Sequence, residues 1–188
     1  MQMGATTDTR ARMVSSAALL LREHGVAGTS IARVLEHSQG PRGSVQFHFP
    51  GGKAQLLTEA LVWAGGLVSK VLSQAQARED TPADVVNAIC EHYKRQLTDS
   101  DFQAGCPVGA VAQEAFADPQ LGATVAGVVD DWATGLKAVL IGSGHDETEA
   151  SDLATLCIST VEGAITLARV HRSTRPIEIV QERLIPLL

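Results

Sequence analysis

The stretch TSIARVLEHSQGPRGSVQFHFPGGK, residues 29–53, decides how the rest of the chain is read. Thr29 or Ser30 suits the N-cap of a short helix that carries Ile31, Val34 and Leu35 and ends near His37. A glycine-containing turn follows. Pro41 then suits the first turn of a second short helix, where an amide would have no intrahelical partner anyway. Two short helices joined this way, with a longer helix before them, make a helix-turn-helix, whose second helix enters the major groove of DNA. By spacing alone they also fit an ordinary αα-hairpin with no DNA function.

Helical spacing continues on both sides of this stretch. Upstream, Thr7 or Thr9 caps a helix with Met13, Ala17, Leu20 and Leu21 on one face, stopped by Gly25. Downstream, a long helix starts near Lys53 and passes through Leu56, Leu57, Leu61, Leu67, Val68, Val71 and Leu72. Gly65 and Gly66 weaken its middle, which points to close packing or to a pivot. Further helices are expected from Pro82 to Leu97, Cys106 to Phe116, Pro119 to Leu140, Asp146 to His171 and Pro176 to Leu187. No run shows the period of a strand. The fold expected is all-α: an N-terminal three-helix helix-turn-helix domain over residues 1–52, joined by a long helix to a helical ligand-binding and dimerisation domain over 53–188.

Composition narrows the function classes. The chain has 188 residues, 45% apolar and 19% charged, with a formal net charge of −6, the profile of a soluble globular protein. It has no uninterrupted apolar run long enough to span a membrane, and its first residues lack the apolar core of a signal peptide. A cytoplasmic location with no membrane partner is expected. Cys90, Cys106 and Cys157 are odd in number and far apart, so they read as reduced thiols rather than a disulfide frame. Charge is uneven. Through Lys53, six basic residues face only Asp8, Glu23 and Glu36, a net of +3, which leaves −9 for the remainder. A basic head on an acidic body fits a polyanion-binding module joined to something else.

The second short helix, PRGSVQFHF, carries the groups that would meet DNA. Arg42 can pair with guanine and Gln46 with adenine, while Ser44 and His48 offer further hydrogen bonds and Phe47 an apolar surface. Gly43 would let the helix approach closely, and Lys53, opening the next helix, could hold a phosphate.

This string resembles the TetR family of transcriptional repressors. Thr29-Ser30-Ile31, then Gly43 through Lys53, then Leu56 and Glu59-Ala60-Leu61 carry the resemblance. Gly105-Cys106-Pro107-Val108, Glu162-Gly163-Ala164 and Leu167-Ala168-Arg169 are similar to the C-terminal domain of the subgroup related to the LmrA and YxaF regulators. The resemblance implies a homodimer whose two heads read a palindromic double-stranded operator. It places Thr29, Arg33, Arg42, Ser44, His48 and Lys53 near that DNA. Three residues depart from the pattern: Gln46 stands where most relatives have Tyr, and Leu35 and Gly40 replace other usual residues.

Nothing in the sequence has the spacing of a catalytic or metal site, and no enzyme activity or cofactor is expected. Cys106, at a helix start, reads as a buried small residue rather than a reactive thiol. A repressor needs a second site, and an apolar cavity for a small effector is expected among Trp63, Leu67, Phe102, Phe116, Trp132 and Glu162. The helix at 146–171 and the terminal helix, with Ala150, Ala154, Gly163, Ala164 and Ala168 allowing close approach, are expected to form the dimer contact. A helical small-molecule-binding protein, or a vestigial enzyme, whose head no longer binds DNA is the alternative reading.

Overall fold

The computed structural model describes residues 3–114 and 117–188, with side chains from residue 8 onward. Among the described residues there are nine α-helices, a closing 3-10 turn and no strand. They are α1 (Met3–Gly28), α2 (Ile31–Ser38), α3 (Ser44–His48), α4 (Gly52–Arg78), α5 (Pro82–Asp99), α6 (Pro107–Ala112), α7 (Pro119–Gly142), α8 (Glu147–His171) and α9 (Arg175–Leu184).

The helix ends follow local chemistry. In α1 the helical path breaks at Gly25, whose φ is +64°, so the expected stop is a kink with one more turn after it. Ser30 caps α2 by accepting from the Arg33 amide at 3.2 Å, and Thr81 and Asp146 do the same for α5 and α8. Other boundaries differ from expectation: α1 begins at Met3, ahead of Thr7 and Thr9, α6 ends at Ala112, and the second helix of the pair starts late. Pro41, Arg42 and Gly43 form a turn, and α3 begins only at Ser44. The reason is Gly43, which takes φ +99° at the helix start, a conformation closed to most side chains. Its conformational freedom shapes the turn, and Arg42 lies before the helix rather than within it.

The chain divides into two compact units. The first comprises residues 1–66 and 107–128, the second 67–106 and 129–188, and α4 and α7 each contribute to both. The units do not follow the expected division at 52 and 53. The early part of α4 belongs with the head because Leu56, Leu57, Ala60 and Leu61 are buried there. In the first unit α1 packs on α2 and α6, and the core holds Met13, Ala17, Leu21, Val34, Phe49 and Val108. In the second, α5, α8 and α9 pack together around Val86, Cys90, Leu97, Ala154 and Ile177. α4 and α8 are long and apolar enough to cross a membrane by length and composition, yet both supply buried side chains to these cores.

Candidate nucleic-acid interface and effector cavity

Val45 in α3 and Phe49 at its C-terminal cap are both buried, which fixes the rotation of the helix. The opposite side, with Gln46 and Phe47, is exposed, and Phe47 is 74% exposed. Arg42, in the turn before it, is exposed as well. The side chains of Arg42 and Gln46 have no partner among the described residues. His48 is half-buried, its ring edge-on to Phe47 at 5.0 Å and to Phe49 at 6.3 Å.

Other residues expected at DNA also make hydrogen bonds within the fold. Thr29 is fully buried and its hydroxyl donates to the Gly25 carbonyl at 2.7 Å, so it holds the kink of α1. The Ser44 hydroxyl donates to the Pro41 carbonyl at 2.6 Å and closes the turn before α3. Lys53 sends its ammonium to the Val26 carbonyl at 2.8 Å, and Arg33, though exposed, donates to the Gly28 carbonyl at 2.9 Å.

Four side chains outside the sites expected from the sequence complete this frame. Glu114, just after α6, accepts from the amides of Val26 at 3.0 Å and Ala27 at 3.3 Å, two donors left open by the kink. Arg10 of α1 pairs with Glu59 of α4 at 2.5 Å and lies 5.1 Å from the centre of the Phe49 ring. Glu59 also accepts from Gln55, whose own oxygen accepts from the Gly51 amide at 2.9 Å. Those contacts tie α1 and the start of α4 to the end of α3. In the sequence, Glu59 belongs to the string that carries the resemblance, and Gln55 stands one helical turn before it.

In the second unit, a cavity of about 50 Å³ lies among Leu72, Val86, Tyr93, Trp132, Leu136 and Glu162. Of the residues expected there, Trp132 and Glu162 line it. Trp63 and Leu67 do not: they are 43% and 51% exposed, and Val68 and Leu72, one position further round α4, face inward instead. Phe102 sits in the loop before α6 with the Arg172 guanidinium 5.9 Å from its ring centre. Phe116 lies outside the described residues. Burial pushes the Glu162 carboxyl above its ordinary value, and a hydrogen bond with the Cys106 thiol opposes that shift. All three cysteines are buried and none is in a disulfide, and burial pushes the Cys90 and Cys157 thiols up to about 11, which makes both poor nucleophiles at neutral pH. Arg169, on the same helix as Glu162, donates to the Gln103 carbonyl at 2.8 Å.

Comparison with known proteins decides the family. Residues 82–183 match the profile described as "Transcriptional regulator LmrA/YxaF-like, C-terminal domain". The chain is 42% identical over 185 residues to the HTH-type transcriptional regulator Rv0196 of Mycobacterium tuberculosis, covering 95% of this chain and 93% of that one. The chain belongs to the TetR family of transcriptional regulators. It is also 27% identical to the HTH-type regulator YxaF of Bacillus subtilis, over 99% of this chain and 97% of that one. A TetR regulator from Chloroflexus aurantiacus superposes with a TM-score of 0.76 at 28% identity, covering 98% and 96% of the two chains. In this TetR-family chain, then, α2 and α3 are the helix-turn-helix, and Arg42, Gln46 and Phe47 are the side chains its outer face presents.

Proposed function

We propose that this TetR-family protein is a cytoplasmic repressor that binds a palindromic operator as a homodimer and is released by a small apolar effector. The observation that carries the reading is the outer face of α3 and its preceding turn. There an unpartnered guanidinium and an unpartnered carboxamide stand beside an exposed ring, the chemistry that base edges in the major groove accept. The main-chain amides at the start of α4 and the Lys53 ammonium would add phosphate contacts that set register.

Dimerisation is supported by an open groove of about 560 Å³ between α8 and α9, lined by Gly163, Ala164, Leu167 and Ile179 among others. Leu167, Val170 and Ile179 are all exposed in the single chain, and an isologous contact with a twofold mate would cover them. The effector reading rests on the apolar cavity with one carboxyl. At about 50 Å³ it is far below the several hundred Å³ that a drug-sized ligand occupies, so a ligand must widen it. Effector binding would then favour a widened state over the closed one, and that difference in affinity is what release of DNA requires. The protein transduces a signal in this reading and catalyses nothing.

An electrophoretic mobility shift with the DNA flanking its own gene tests the proposal, run at several salt concentrations. Salt-sensitive binding to one palindromic fragment is expected, with affinity falling steeply as counterions compete for the phosphates. Equal, weak binding to every fragment would overturn it.

A further inference from the structure

Phe47 is the most exposed large apolar side chain among the described residues, at 74%. An isolated exposed phenylalanine carries little meaning, but this one has a defined direction. Val45 in α3 and Phe49 at its cap are anchored in the core, and Phe47 lies about 200° around the helix from Val45, on the outer face. Its ring rests edge-on against His48, with ring centres 5.0 Å apart, which limits where it can swing. Its neighbours on that face are hydrogen-bonding groups, Gln46 beside it and Arg42 in the turn.

A phenyl ring can neither donate nor accept a conventional hydrogen bond, so it gains nothing from phosphates or from the amide and carbonyl edges of bases. In the major groove the one apolar group is the 5-methyl of thymine, which cytosine acquires only when methylated. We propose that Phe47 is a specificity-determining residue that reads a pyrimidine 5-methyl group in each half-site. The reading rests on the DNA-binding function proposed above. It adds a consequence: a cytosine at that position would be accepted better when 5-methylated, because the contact is with the methyl group and not with the base-pair edge.

The test uses the full-length protein and an operator selected from a random duplex pool by the protein itself. Each thymine of the half-site is then replaced singly by uracil, which removes the methyl and leaves the hydrogen-bonding edges intact. One position per half-site should weaken wild-type binding about fourfold, the value of one buried methyl-sized group. Phe47→Ala should bind the thymine and uracil operators equally. With cytosine at that position, 5-methylation should strengthen wild-type binding and leave F47A unchanged. Wild-type indifference to uracil everywhere, or an unchanged preference for thymine in F47A, would overturn the methyl contact while leaving the regulator reading intact. If the pool yields no bound DNA, the regulator reading fails and the methyl contact fails with it. Because Phe47 is largely exposed, the substitution leaves the core untouched, and the uracil series needs no variant at all.

Discussion

Gly65 of α4 and Val128 of α7 approach so closely that a β-carbon on Gly65 would lie 2.3 Å from Val128 Cγ1. The helix is continuous through both Gly65 and Gly66, and close packing explains the first of them. Nothing lies within 4 Å of the corresponding position at Gly66.

The pair therefore separates by substitution. Gly65→Ala should lower stability by about 1–3 kcal/mol, because the buried Val128 branch has to move. Gly66→Ala should raise it by up to about 1 kcal/mol through helix propensity. Urea midpoints of the two single variants check this, and equal midpoints would mean the packing is slack.

Glu162 gives a pH signature. Its folded-state carboxyl is raised above the ordinary 4.5 by burial, so the folded protein holds the proton more tightly than the unfolded chain. The charged form destabilises, and stability from this group is lost as pH rises from about the ordinary value through the raised one. Glu162→Gln should be more stable than wild type at neutral pH, with the difference shrinking as pH falls toward 4.5. Thermal melts of both proteins across that range read the trend; a difference independent of pH would contradict it.

Glu114 accepts two backbone amides at the kink of α1. Glu114→Ala should cost about 1–3 kcal/mol, the range for leaving partly buried donors unsatisfied. Glu114→Gln, which keeps an acceptor oxygen, should lose less. Denaturation curves for the pair distinguish a hydrogen-bonding role from a purely packing one.

Lys53 is bound to the Val26 carbonyl and also stands at the start of α4. Lys53→Ala should weaken binding to all operator variants alike and lower the salt slope by about 1 if the ammonium also meets a phosphate. An unchanged slope with lowered stability would assign it to the fold alone. Gln46→Ala should instead change base preference, at about 1–3 kcal/mol for a bidentate adenine contact.

Assembly has its own test. Leu167→Glu, on the exposed face of α8, should turn a dimer at micromolar concentration into a monomer while leaving helical content unchanged. Sedimentation equilibrium measures it, and a wild-type monomer would remove the proposed interface.

What the amino-acid order determined alone was local. Caps at Ser30, Thr81 and Asp146, the break at Gly25, the opening proline Pro119 and apolar residues every three or four positions act through neighbours in the chain, so the helices and the GSVQFHFPGGK string were legible without coordinates. What remained was decided by contacts between distant segments. The apolar run of α4 is wide enough for several rotations about its axis, and only packing chose Val68 and Leu72 over Trp63 and Leu67 as its inward face. Thr29 and Lys53 carry polar ends suited to DNA or to backbone, and only the folded chain brings the Gly25 and Val26 carbonyls at the kink within their reach. Glu114 lies 88 residues from the amide of Val26, and only folding brings the carboxylate to the two donors it caps.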